Sequence, residues 1–426
     1  MRILWITHDV FEPFLPYLKG KPTQGASWTT PLFYNLRDVE QVKLGSIAPV
    51  TDGEEQKMEI ENVTYYSIPV AKNDNMTGMQ KKLADKYISA IRDFKPDIIH
   101  IHGIERNFGL LRQFVDPQIP IVCSIQGIIQ PCLEYMKCSV ANLNLNHYKS
   151  IKNRIGRGGV NAAIRSWEKY SVIEKLIFEI NEYFIGRTSW DKAQLAAFNP
   201  AAHYYHGEEL LRTPFYSQTW DIKTCQRHRI FISSVAEPLK GFHVLLKAAD
   251  ILKNKYPDLR IAVPLATFRQ KSSGIWDFLF TEDYANYLKK EIKSLELGEN
   301  IIFYKRLSAA EMADEYHKAH VFTLTSYAEN SPNSLGEAML VGTPTVVSPV
   351  GGVMSMVKNE ESSLFFPSGD AAMLAFQIDR IFSDDELAVK LSQEAKIIAL
   401  KRHDIVETTN QYMNIYAEII KNHAVK

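Results

Sequence analysis

The sequence predicts an α/β protein of two doubly wound halves, each a parallel sheet covered by helices on both faces. Three observations predict it. Short, continuously apolar or β-branched runs alternate with longer helical patterns, as strands buried on both sides do. The pattern restarts after a polar stretch without period, Ser217 to Arg229. The chain has 426 residues, enough for two or three domains at roughly 100 to 200 residues each. These place a first domain at 1–220, a second at 221–402 and a terminal helical segment at 403–426, with the break near 218–228.

In the first half the expected strands are Arg2 to Thr7, Asp97 to His102, Pro120 to Ser124 and Tyr183 to Gly186. In the second they are Arg229 to Ser234, Arg260 to Pro264, Asn300 to Tyr304, Val321 to Thr325 and Pro344 to Ser348. Helices are expected at Gly241 to Tyr256 and Asp283 to Leu295. From His403 to Ile420, helical spacing puts Ile405, Tyr412, Tyr416, Ile419 and Ile420 on one apolar face, which must dock, and a return across the domain junction is expected.

Composition narrows the function classes. Apolar residues make up 46% and charged residues 23%, and 49 Lys plus Arg balance 49 Asp plus Glu. Such a chain has no global attraction for nucleic acid or an anionic membrane. Four cysteines, Cys123, Cys132, Cys138 and Cys225, are too few for a disulfide framework and lack zinc spacing, so reduced thiols, no metal and a cytoplasmic setting are expected. The apolar run at the N-terminus is too short for a signal peptide core, and nowhere do about 18 apolar residues follow one another. The first strand ends in Ile6-Thr7-His8-Asp9 without a glycine fingerprint, which disfavours a nicotinamide dehydrogenase.

In open parallel sheets, ligands gather at the carboxyl ends of strands. The most informative such loop runs from Leu324 to Pro344. A strand enters a loop carrying Glu329, then a helix whose first turn offers Asn333, Ser334 and unpaired N–H groups, a start that favours phosphate. Glu337 lies eight residues after Glu329, so the two carboxylates can grip different hydroxyls of one extended ligand. That combination suits a nucleotide sugar. The alternative left open is that Glu329 caps the helix and Glu337 is solvated.

The stretch from Glu329 to Gly352, with its Val347-Ser-Pro-Val-Gly351-Gly352 turn, resembles the signature of retaining glycosyltransferases of the GT-B fold, family 4, group 1 glycosyl transferases of the kind found in bacterial polysaccharide clusters. The resemblance is strongest from about 229 to 358 and looser before it. It implies two Rossmann-like doubly wound parallel-sheet domains facing a central cleft. It also implies that Glu329 contacts the donor sugar and Glu337 the ribose. The loop Glu237-Pro-Leu-Lys240-Gly241 is similar to the family's loop in which Lys neutralises the donor diphosphate; without the resemblance, Lys240 reads as a solvated turn residue. The family's second cation, an Arg five or six residues earlier, is replaced by Val235 and Ser234. Arg187, at a strand end of the first half, is the candidate substitute, against a salt bridge to Asp191 or Glu208.

The first domain is expected to supply the acceptor side. Gly25, in Thr23-Gln-Gly25-Ala-Ser-Trp28, resembles the glycine of a loop near the donor phosphates at a helix start. Asp97-Ile-Ile-His100-Ile-His102 is similar to the family's His-x-His strand, with His102 nearer the active end and His100 as buried support. Gln126 stands where many relatives have a His, and an amide can hold a sugar hydroxyl but carries no proton near neutral pH. The implied catalytic set is Lys240, Glu329 and His102. The implied donor set is Gly25, Gln126, Arg187, Lys240, Glu329, Asn330, Ser331, Asn333, Ser334, Leu335 and Glu337. The implied mechanism is same-face attack with the departing phosphate taking the acceptor's proton, with no cofactor beyond the nucleotide-sugar substrate.

Between Tyr135 and Trp167 there is no acidic residue, while Lys137, Lys149, Lys152, Arg154, Arg157 and Arg165 are basic. Lys149, Lys152, Arg154 and Arg157 form a candidate patch for a lipid-linked acceptor or an anionic membrane surface, against a solvated loop. The block from Asn199 to Tyr216, rich in polar and aromatic residues, has no role assigned by sequence. Two competing readings are a non-catalytic sugar-nucleotide-binding protein of the same fold and a nucleotide-sugar epimerase.

Overall fold

The computed structural model describes residues 1–22, 24–25, 28–71, 78–264 and 282–425. They divide into two compact units. The first comprises Met1–Ile129, Lys169–Arg212 and His403–Lys426; the second comprises Gln130–Glu168 and Thr213–Arg402. The division therefore differs from the one read from sequence, because residues 130–168 group with the second unit.

The first unit holds, among the described residues, a nine-stranded sheet. Its order is His203–His206, Tyr183–Gly186, Ile121–Ser124, Ile98–His102, Arg2–Ile6, Lys43–Thr51, Val63–Pro69 and Gln56–Ile60, with Lys21–Pro22 pairing on Lys43–Thr51. The sheet is mixed rather than purely parallel: Gln56–Ile60 and Lys21–Pro22 run antiparallel to their neighbours. The strands from 43 to 69 are not among those expected from sequence; of these Gln56–Ile60 alternates exposed residues and is not a continuous apolar run, whereas Lys43–Thr51 and Val63–Pro69 are buried almost throughout. Chain order reverses beside Arg2–Ile6, between it and Ile98–His102, so the carboxyl ends of these two strands flank a crevice where such sheets take ligands.

Helices cover the sheet by burying one stripe each. Lys81–Phe94 places Leu83, Ala84, Tyr87, Ala90, Ile91 and Phe94 inward at three- and four-residue spacing and stops at Lys95 in a left-handed conformation. The terminal helix, Ile405–Ala424, belongs to the same unit. Tyr412, Ile415, Tyr416 and Ile419 join Ile3 and Trp5 in one core cluster. Ile405, expected on that face, is exposed at the helix start.

The second unit holds a six-stranded sheet, all parallel, in the order Ile301–Tyr304, Arg260–Pro264, Arg229–Phe231, Val321–Leu324, Thr345–Val347 and Leu364–Phe365. The polar stretch before it is part of this unit. Trp220 is buried, with its backbone N–H donated to the Val341 carbonyl and its indole N–H to that of Ala319. Here the first strand, Arg229–Phe231, lies beside Val321–Leu324, and the order reverses between them. The loops leaving these two strands are the ones that carry Lys240 and Glu329.

Candidate functional site

Both loops of the second unit are built on glycines that no other residue can replace without movement. Gly241 has φ +68°, and a Cβ there would overlap the Thr325 carbonyl. Thr325 Oγ1 in turn donates to the Lys240 carbonyl at 2.7 Å, and the Tyr327 N–H to that of Leu239 at 2.8 Å. The two loops are thereby laced together. Gly351, φ +53°, approaches the backbone of Glu329 so closely that a Cβ would overlap its carbonyl oxygen, which accepts the Gly352 N–H at 3.0 Å.

The result is a cleft of about 190 Å³ lined by Ser233, Ser234, Lys240, Thr325, Glu329 and Asn333, among others. Lys240 Nζ donates to Glu329 Oε1 at 2.6 Å, and Ser326 Oγ donates to the same oxygen at 2.6 Å. Burial by itself would lower the Lys240 pKa, yet the charge and hydrogen bond of Glu329 leave it above its ordinary value. Among the described lining residues Lys240 is the only cation. Ser234 lines the cleft with a hydroxyl where a second cation was looked for, and Val235 is buried. The helix Asn333–Val341 starts at the cleft with no side-chain cap on its N-terminus, so its dipole points a partial positive charge at the space beside Lys240.

The other residues read from this loop divide. Asn333 and Ser334 line the cleft. Leu335 does not: its side chain is fully buried and its N–H bonds to the Pro332 carbonyl at 3.0 Å. Ser331 is buried, with its hydroxyl on Met356 and 3.4 Å from the Arg402 guanidinium, and Asn330 is buried beside it in sequence. Glu337 is buried on the helix, within 3.3 Å of the Tyr316 hydroxyl, and is not a solvated residue. Missed from sequence was Ser326, whose contact with Glu329 follows from a tight loop and has no motif of its own.

In the first unit the structure corrects two expectations. Arg187 is buried against Glu209, with which it forms an ion pair, rather than against Asp191 or Glu208; Asp191 takes the Arg187 backbone N–H at 2.8 Å. The Gln126 amide is turned into that pair, its Nε2 donating to Glu209 and its Oε1 accepting from Arg187 at 3.0 Å. Gly25 sits in a two-residue strand, Gln24–Gly25, paired with Asp9–Val10, and the following helix starts only at Thr30. Thr23, Ala26 and Ser27 of that loop lie outside the described residues.

His100 is buried support, as expected, with Nδ1 2.7 Å from the Tyr416 hydroxyl and Nε2 2.6 Å from Ser124 Oγ. Burial lowers its pKa to about 3. His102 is 4% exposed, packed on Trp5 at 3.9 Å between ring centroids, and neither ring nitrogen has a hydrogen-bond partner among the described residues. Burial, then the neighbouring His100, hold its pKa well below the usual value. Asp9, not among the candidates read from sequence, is buried in the short strand Asp9–Val10 that follows the first strand. Burial raises its pKa to about 6 against the hydrogen bonds from Thr29 and Thr7, the former 2.6 Å long.

Among the basic residues of 130–168, Lys152 is neutralised by Glu282 at 2.6 Å, whereas Arg154 and Arg157 are exposed. The four cysteines are free thiols. Among the described residues no group of three or more His, Cys, Asp or Glu could hold a metal ion, and no helix is long and apolar enough to cross a membrane.

Residues 226–397 match the family model of the glycosyl transferases group 1. That stretch is similar to the group 1 glycosyl transferases. It contains the whole cleft with Lys240 and Glu329. D-inositol 3-phosphate glycosyltransferase of Corynebacterium urealyticum is 28% identical over 181 residues, which is 42% of this chain and 41% of that enzyme's length. The chain thus matches about two fifths of that curated relative. Sucrose-phosphate synthase of Thermosynechococcus elongatus superposes with a TM-score of 0.71 at 16% identity, covering 99% of this chain and 100% of the other. Anabaena HepE, in complex with UDP-glucose, superposes with a TM-score of 0.66 at 14% identity, covering 98% and 100%. The chain has the GT-B fold and is related to group 1 glycosyl transferases, and the matching stretch forms the second unit's sheet and its two site loops.

Proposed function

We propose that the protein is a metal-independent retaining glycosyltransferase, moving a hexose from a nucleotide sugar to a glycan or lipid-linked acceptor in cell-surface polysaccharide biosynthesis. The observation that carries this reading is the cleft of the second unit, where Lys240 and Glu329 lie side by side before an uncapped helix start. Lys240 and the helix dipole would neutralise the diphosphate as it departs, Glu329 would hold the sugar, and Glu337 would take the ribose. The acceptor oxygen bonds to the anomeric carbon from the face on which the bond to the diphosphate breaks, and its proton passes to the leaving phosphate oxygen. Asn333 and Ser334 would contact the donor with Lys240 and Glu329. His102 is kept as a candidate for the acceptor side, because its buried ring has nitrogens without partners among the described residues. Arg187 and Gln126 would act on each other and on Glu209, not on the donor.

The setting proposed is the cytoplasm, with peripheral contact at the inner face of the plasma membrane through the basic residues near 149–157. UDP-hexoses are the donors to try first, since UDP-glucose is the ligand named with Anabaena HepE. Incubation with UDP, GDP and ADP sugars tests the reading. Nucleotide release that depends on an added acceptor supports transfer. A changed sugar without release would make the protein an epimerase, and binding without either would make it non-catalytic.

A further inference from the structure

Among the described residues, the loop before the long helix that starts at Val160 is tied down by residues 282–286 and by Arg165, which donates to the Gly156 carbonyl at 3.1 Å. The short helix Ile151–Arg154 is closed by a capping box between Ser150 and Asn153, both buried. Glu282 Oε1 takes Lys152 Nζ at 2.6 Å, and its other oxygen takes the Asn153 amide at 3.0 Å and the Gly159 N–H. Asp283 accepts the Val160 N–H at 3.1 Å, and Asn286 donates to the Tyr148 carbonyl at 3.1 Å. These bonds fix which side of the loop faces out. Exposed on this loop are Ile151 at 40%, Ile155 at 65%, and Arg154 and Arg157, for which no carboxylate partner exists among the described residues. Lys290, exposed on the neighbouring helix, lies over the Tyr148 ring at 5.4 Å and adds a positive charge near the base of the loop.

We propose that Ile151, Arg154, Ile155 and Arg157 form a docking tip for an anionic lipid bilayer surface. The inference deepens the peripheral-contact part of the proposed function and rests on it, while standing apart from the sugar chemistry. Two isoleucines four residues apart point from one turn of backbone, with arginines between and after them. A free phosphate would reward the arginines and leave the isoleucines in water. A protein partner needs several hundred square ångströms of complementary surface, more than two isoleucines offer. A bilayer interface rewards both, with arginines among the anionic headgroups and isoleucines at the acyl boundary. Lys152, by contrast, is a strut of the loop rather than a lipid contact, because Glu282 already neutralises it.

The test is flotation of the full chain with vesicles of phosphatidylcholine alone and of phosphatidylcholine with one quarter phosphatidylglycerol. The wild type should partition onto the anionic vesicles and hardly onto the neutral ones. Each basic residue near such a surface contributes about fivefold, so Arg154→Glu with Arg157→Glu should lower partition at least about 25-fold. Ile151→Ser with Ile155→Ser should lower it about tenfold. Both pairs should melt at the wild-type temperature, since none of the four side chains is buried. Equal binding of the wild type to both vesicle types would overturn the proposal. So would wild-type partition by either pair, full release by inorganic phosphate, or a smaller oligomer for the isoleucine pair in size-exclusion chromatography. Nucleotide binding by the wild type, measured separately by calorimetry, keeps the two readings apart: vesicle binding can fail while it persists, and the reverse.

Discussion

The Lys240 ammonium and the Glu329 carboxylate, 89 residues apart in sequence, meet at 2.6 Å in the cleft of the second unit. Each is positioned by a loop that leaves one of two adjacent parallel strands, and the loops bond to each other through Thr325 and Tyr327. A ligand diphosphate that reaches Lys240 therefore meets an ammonium already oriented by Glu329 and needs little reordering of the side chain. Lys240→Ala removes a charge-assisted contact of about 1.5 to 3 kcal/mol, so UDP or GDP should bind about 10- to 150-fold more weakly. The matching nucleoside without phosphates should bind as before. Calorimetry on the pair of ligands reads the difference, and equal losses for both would remove Lys240 from the diphosphate.

Arg187 and Glu209 form a buried pair whose side chains are 5% and 7% exposed. Removing one partner of such a pair strands the other charge, at a cost of about 3 to 5 kcal/mol. Arg187→Met should therefore lower the melting temperature markedly, and adding Glu209→Leu should recover most of the loss. Donor nucleotide affinity of the soluble fraction should change little. A variant that melts normally but binds the nucleotide weakly would instead return Arg187 to the donor site.

What the sequence could reveal depended on how local each relationship was. Lys240 and Glu329 each follow a strand and precede a helix within a few residues, so pattern and motif together reach them. The Gly351 approach to Glu329 belongs to the same motif. Arg187 was placed correctly at a strand end, but Asp191, Glu208 and Glu209 are all near it in sequence, and only the direction of the chain after His206 makes Glu209 the partner. The grouping of residues 130–168 with the second unit rests on contacts such as Met136 with Leu239 and Ala328, about a hundred or more residues away. Nothing in local periodicity encodes those. The strand Gln56–Ile60 was hidden for the opposite reason: its alternating exposure at a sheet edge lacks the continuous apolar run of the central strands.

Gly351 lets the backbone of Glu329 sit where it does. Gly351→Ala would need a left-handed conformation, costing about 1 to 2 kcal/mol, and its Cβ would overlap the Glu329 carbonyl oxygen. The expected relief is a shift of the loop that carries Glu329. Turnover, once the donor is known, should fall more than about tenfold, with a modest loss of melting temperature. Wild-type kcat/KM in this variant would mean that the Glu329 position does not control transfer.

Acid should unfold both units through their buried histidines. Burial holds the pKa of His8 and His100 at about 3 in the first unit, and of His243 and His320 at about 4 in the second. Each is neutral in the folded chain and titrates near 6.5 when unfolded, so the unfolded state binds more protons throughout the interval between. The stabilisation from keeping them neutral is complete above about pH 6.5 and is lost as pH falls toward 4 and 3, at up to about 1.4 kcal/mol per pH unit for each group. Asp9 runs the other way, since its raised pKa of about 6 makes the folded state take up a proton between pH 6 and 4. Burial raises Glu105 and Asp283 in the same direction, but with His102, also held well below its usual value, five histidines stand against these three carboxyls. The melting temperature should therefore be flat from pH 8 to 7 and fall steeply below 6. Replacing His100 by Gln, which can still bond Tyr416 and Ser124 but cannot charge, should make that fall shallower. An unchanged acid limb in His100→Gln would show that His100 titrates near its ordinary value in the folded protein.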